Sequence, residues 1–110
     1  MIIVKVLIPA KTAENTQTTQ YTATGVTTII DKFTATNYNT AAATISVNLV
    51  TAADTAGNQN LITKTKTLQP SETYTFPELV GQVLSAGGFI STIAGTASSI
   101  NIRASGREIT

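Results

Sequence analysis

The chain has no cysteine, no histidine and no tryptophan. Without cysteine there is no disulfide, no thiolate nucleophile and no thiolate metal site. Without histidine the commonest general base and the commonest neutral metal ligand are missing as well. Charge is also scarce: 12% of the 110 residues are charged, seven Lys plus Arg against six Asp plus Glu, for a formal net charge of +1. That is half the roughly 25% of an ordinary soluble domain. Nucleic acid and anionic membranes are recognised through clustered Lys and Arg, so neither is an expected partner. Only three Tyr and three Phe are present, and no basic stripe surrounds them to make a base-stacking track.

Threonine takes the place of charge, 22 residues of 110. A neutral surface rich in hydroxyls offers little repulsion between copies, which favours association. The threonines sit in short β-branched runs divided by turn clusters, the pattern of an all-β sandwich or barrel and not of a proline-rich stalk. The expectation is a single antiparallel β-sandwich over residues 1–110, immunoglobulin-like or jelly-roll-like, of seven to eight strands.

The first strand covers Ile2 to Ile8 and is stopped by Pro9. It is too short for a membrane span and lacks the basic leader of a signal peptide. Residues 10–20 are polar and read as a loop or arm. The clearest alternation is Ile45, Val47 and Leu49 against Thr44, Ser46 and Asn48, one face buried and one wet. Lys64 and Lys66 are expected to share a solvent face. At Gln69-Pro70-Ser71-Glu72, Pro70 presets the turn, and serine in place of glycine at the next position favours type I over type II. One helix is expected near residues 77–85: Pro77 suits its first position, Glu78 its positive end, and Leu79, Val80, Val83 and Leu84 form a stripe that Gly87 terminates.

Catalytic templates find little to hold. The hydroxyls have no histidine and no Ser-x-x-Lys lysine to activate them. The carboxylates Glu14, Asp31, Asp54, Glu72, Glu78 and Glu108 are scattered, and Asp54 to Asn60 lacks both the spacing and the charge of a calcium loop. Gly87 and Gly88 follow the expected helix instead of preceding it, so they form no phosphate cradle. No enzyme activity, cofactor, metal or small-molecule substrate is therefore expected.

The first strand is the exception to these bland readings. Ile2, Val4, Val6 and Ile8 alternate with Ile3 and Leu7, so both faces are apolar apart from Lys5. Such a strand is either covered on both sides within the fold or placed against another molecule. The candidate interface is Ile2, Ile3, Val4, Val6, Leu7 and Ile8, joined by Ile109 of the C-terminal tail.

Three segments, Lys32 to Asn37, Thr44 to Val50 and Thr67 to Tyr74 with its Leu68-Gln69-Pro70-Ser71-Glu72, resemble the strand and turn pattern of immunoglobulin-like sandwich modules, Ser71 standing where glycine is usual. Pro77 to Leu84 and Ala104 to Thr110 resemble small virion proteins of tailed bacteriophages, and the likeness covers residues 26–110. It implies a virion structural protein of the capsid decoration or cement type, on the capsid exterior, whose partners are itself, as a dimer or trimer, and the major capsid protein or another virion protein. Alternatives are a tail or head-to-tail adaptor, and a receptor- or glycan-binding module using Asn37 to Thr40 and Asp54 to Asn60.

Overall fold

The computed structural model describes residues 1–110, and its strands form two antiparallel sheets. Nine strands follow one another: β1 (Ile2–Thr12), β2 (Thr18–Thr22), β3 (Thr27–Asn37), β4 (Ala43–Val50), β5 (Leu61–Leu68), β6 (Thr73–Tyr74), β7 (Val83–Leu84), β8 (Phe89–Ala94) and β9 (Ile100–Ile109). The first sheet has the order β1-β9-β3-β6, with β7 also on β3, and the second has the order β2-β8-β4-β5. The short β6 and β7 act as one interrupted strand along β3. Pairing is thus first with last and inward from there, which is the wrapped ribbon of a jelly roll. An immunoglobulin order, with the first two strands as neighbours in one sheet, is not what forms.

The sheets close on a core of Ile30, Phe33, Ile45, Val47, Leu68, Phe76, Leu79, Ile90, Ile100 and Ile102, all fully or almost fully buried. Phe33 and Phe76 meet edge to face with ring centroids 4.8 Å apart, a favoured aromatic geometry. Period-two burial along β9, with Ile100, Ile102, Ala104 and Gly106 inward, is the physical counterpart of its sequence alternation.

No helix occupies residues 77–85. Leu79 N–H bonds the Phe76 carbonyl at 3.0 Å and Gln82 N–H bonds the Leu79 carbonyl at 3.1 Å, which makes two successive turns. Gly81 N–H then donates to the Ile30 carbonyl at 2.7 Å, and Ile30 N–H donates to the Gln82 carbonyl at 3.0 Å. Strand β3 thereby captures the backbone groups a helix would need for itself. The expected stripe splits: Leu79 and Leu84 are buried, whereas Val80 and Val83 are exposed.

Three smaller expectations also change. The arm at residues 10–20 is mostly strand, because β1 runs past Pro9 to Thr12 and β2 begins at Thr18. Proline is tolerated because β1 is an edge strand and Pro9 lies in a register shift between Ile8 and Lys11. In β5 the register against β4 jumps between Thr63 and Lys66. Lys66 is thereby carried over the Tyr74 ring, 4.7 Å from its centroid, while Lys64 stays exposed. The turn at Gln69 to Glu72 has Ser71 at φ +67°, which is type II. The central peptide is flipped because Ser71 N–H donates to the Asn37 carbonyl at 2.8 Å, a bond that type I would turn away.

Two substitutions test these local arguments. Ser71→Gly relieves a left-handed serine and is expected to raise stability by about 0.5–1 kcal/mol in urea titration. Gly106→Ala would drive a methyl carbon into the Ile29 carbonyl oxygen and to 2.9 Å from Leu7 Cδ1. It is expected to cost about 3 kcal/mol or more, and an unchanged urea midpoint would show that β9 is not wedged between β1 and β3.

Candidate assembly surface

At one end of the first sheet the rows run across four strands. Val4 faces Arg107, which faces Ile29, which faces Val83; beside that row Ile2 faces Ile109, which faces Thr27. Strand alternation puts all these side chains on the outer face of the sheet, where no second layer covers them. Val4 is 82% exposed, Ile2 61% and Val83 55%; Val6 is also exposed, and Ile29 and Ile109 are half-buried. The sequence singles out Ile2, Val4 and Val6 for this face by alternation and adds Ile109 from the C-terminal tail, but misses Ile29 and Val83. A signal for Ile29 lies in the doubled Ile29-Ile30, since only one of two neighbours on a strand reaches the core. Val83 is lost in the expected helical stripe.

The rest of the candidate set is divided. Leu7 is 4% exposed and Ile8 is fully buried, so both belong to the core and not to an interface. The cause is a β-bulge: the register shifts between Val6 and Ile8, and Leu7 is the extra residue. The bulge breaks strict alternation and lets two successive side chains turn inward. Ile3 lies on the inner face, yet it remains 44% exposed near the open end of the sandwich.

Electrostatics tie this end together on both faces. Inside, the Glu108 carboxylate accepts from Tyr21 Oη at 2.5 Å and from Lys5 Nζ at 3.3 Å, and Tyr21 Oη also meets Thr28 Oγ1 at 2.6 Å. The tyrosine hydroxyl holds the Glu108 carboxyl below its ordinary value, with Lys5 adding to the effect. Burial, with the neighbouring carboxylate, pushes Tyr21 up to about 12. Outside, Arg107 forks onto Asp31 through Nε at 3.0 Å and Nη2 at 2.9 Å. This bidentate pair sits within the apolar face and closes two of its charges on each other, while exposed Lys32 lies one row away, opposite Ser105 in the row of Val6.

The remaining carboxylates are occupied locally. Glu14 pairs with Lys11 at 2.9 Å, Glu78 accepts from Thr63 and Tyr74, Glu72 accepts from Gln69 N–H, and Asp54 accepts from Thr55 N–H. No two carboxylates share a partner. An apolar cleft of about 280 Å³ opens beside the exposed apolar face between Leu49, Ile62, Val83 and Leu84. A second, of about 200 Å³, is polar; its Asn48 is already engaged by Gln17, Asn60 and the Gly57 carbonyl. Asn37 to Thr40 precede β4 and Asp54 to Asn60 follow it, so the two loops lie at opposite ends of that strand and do not form a single binding rim. No protein-family model, curated protein or solved structure matches the chain.

The shifts fix a pH profile. Glu108 sits below its ordinary 4.5 when folded, so its contribution is present above that pH and is lost as pH falls through the lowered value. Tyr21 is raised from 10.0 to about 12, so its contribution is present below pH 10 and is lost between pH 10 and about 12. Tyr21→Phe is expected to lower the melting temperature at neutral pH by a few degrees and to move the Glu108 carboxyl back toward its ordinary value. A carbon-detected NMR titration reads that shift, and an unmoved Glu108 would break the assignment.

Proposed function

We propose that this is a non-enzymatic structural protein that works by packing against other subunits of a particle. Its most specific form is a capsid decoration protein on the exterior of a tailed bacteriophage head. The observation that carries the reading is the exposed apolar face of Ile2, Val4, Val6, Val83 and half-buried Ile29 and Ile109, set on an edge strand. Exposed apolar clusters on a sheet face are the marks of association, whereas the rest of the surface carries threonine. The particle comes from the resemblance to small virion proteins, and jelly rolls serve both capsids and binding modules, so the fold supports the reading without deciding it.

Mechanically, such a protein would seat the apolar face where shell subunits meet. Burial at roughly 25 cal/mol per Å² opposes any expansion or rupture that would re-expose it. Arg107 and Asp31 enter that contact already paired, so neither is left as an uncompensated charge.

Particles lacking the protein are expected to rupture several degrees earlier on heating, and the same loss is expected when Val4→Asp or Val83→Asp protein is added back. Both positions are exposed, so circular dichroism of each variant should stay native. Equal heat resistance with and without the protein would sink the cementing role. Quantitative mass spectrometry places the subunit: copies in proportion to the shell lattice agree with decoration, and copies matching a single ring indicate a tail component.

A further inference from the structure

The free edge of β1 has a defined hydrogen-bonding parity. Thr110 N–H donates to the Met1 carbonyl at 2.9 Å, and Met1 N donates to the Thr110 carbonyl at 3.0 Å, so these residues form a closely spaced bonded pair. Bonded and non-bonded pairs alternate along an antiparallel ladder. With the register Ile2 to Ile109, Ile3 to Glu108, Val4 to Arg107 and Lys5 to Gly106, the backbone groups of Ile3 and Lys5 are taken by β9. Those of Ile2, Val4 and Val6 point away from it, and no turn or loop bond engages them.

Edge strands are usually defended by charge, proline or bulges. Here the bulge at Leu7 and the proline at position 9 begin only after Val6. The one charge in Ile2 to Val6 is Lys5, and its ammonium is held by Glu108. What remains is an undefended edge five residues long. Its outward side chains, Ile2, Val4 and Val6, are symmetrical in kind about Val4.

We infer that the occupant of this edge is a second copy of the chain, with β1 pairing antiparallel to its own copy about a two-fold axis through Val4. The inference rests on the assembly reading above and names the first partner of that surface. The register follows from elimination. Centred on Val4, the strands place Ile2 opposite the partner's Val6 and Val4 opposite the partner's Val4, so three rows each form two backbone hydrogen bonds. Lys5 then lies beside the partner's Ile3. A centre at Lys5 opposes two ammonium groups and drives Ile2 onto the bulged segment; a centre at Ile3 leaves Val6 outside the paired rows. The Val4 register also joins the two apolar outer faces into one continuous strip. A net charge of +1 per copy opposes this only weakly.

Five residues from each copy cover less than the roughly 800 Å² per partner of a standard stable interface. The dimer is therefore expected to dissociate in the micromolar range or above, and to be strengthened when both copies are held on a repeating surface.

Sedimentation equilibrium of the full chain from low micromolar to millimolar concentration is expected to show a monomer–dimer equilibrium. Val4→Pro removes an N–H that β9 does not use and should weaken the dimer about tenfold or more while far-UV circular dichroism stays native. Because the chain has no cysteine, Ile3→Cys and Lys5→Cys report the register. Mixed and oxidised, they should give a disulfide heterodimer; each alone should not, since like positions lie about 8 Å apart, beyond disulfide reach. A monomer at every concentration, a trimer, or cross-linking of either variant alone would overturn the inference. If the chain stays monomeric but Val4→Asp still abolishes particle stabilisation, the dimer fails and the assembly reading stands. If the dimer cross-links in the expected register but leaves particles no more resistant to heat, the dimer stands and the assembly reading fails.

Discussion

The constraint on which the exposed apolar end of the first sheet depends is the close seating of β9 between β1 and β3. At Gly106 the neighbouring Ile29 carbonyl and Leu7 side chain leave no space for even a methyl group. That proximity sets β1 flat beside β9 and lets consecutive residues of β9 act on opposite faces. Glu108 turns inward to Lys5 and Tyr21, and Arg107 turns outward to Asp31. One strand therefore anchors the edge from inside and neutralises the charge on the face outside. Both arrangements fail together if the strands separate by the width of a side chain.

Much of this was legible in the residues. Alternation in β4 and β9 and the β-branched, threonine-rich runs suffice for an all-β sandwich, and the doubly apolar start of the chain proves to be an edge strand with exposed Ile2, Val4 and Val6. The misreadings share one physical origin: each comes from a partner distant in sequence. The segment after Pro77 has the composition of a short helix, but Ile30 takes its Gly81 and Gln82 backbone groups. Ser71 has the side chain of a type I turn, but Asn37 pulls its N–H into type II. Leu7 keeps the inner face of Ile3 and Lys5, and a bulge against β9 turns Ile8 into the core beside it. Periodicity describes a strand only as far as its register is unbroken, and β1, β2, β3, β4 and β5 all carry shifts.

The bulge in β1 does more than mislead. It separates an edge with two properties that conflict within one strand: Leu7 and Ile8 must close the core, and Ile2 to Val6 must remain available outside it. A strand with perfect alternation would have placed Leu7 with Ile3 and Lys5, and Ile8 with Val4, on opposite faces. Shifting register by one residue at Leu7 lets the core half and the exposed half be chosen independently.

Scarcity of charge takes on a sharper meaning in this setting. Of the three ion pairs, Lys5 with Glu108 and Arg107 with Asp31 both lie at the apolar end of the first sheet, where they cancel charge instead of displaying it. Exposed pairs of this kind contribute little to stability. Their effect here is on what the face presents: around Val4, Ile29 and Val83 charge appears only as a closed ion pair, and the unpaired ammonium of Lys32 stands one row away beside Val6 and Ser105. Threonine elsewhere maintains solubility through hydroxyl hydration, without a field that would repel a second copy. An edge segment whose one charge is already paired and that holds neither proline nor bulge is ordinarily a hazard, and a pattern symmetrical about Val4 would limit that hazard by giving the edge a self-terminating partner. Pairing about a two-fold axis would consume both edges at once, so such a contact would close on itself and could not propagate.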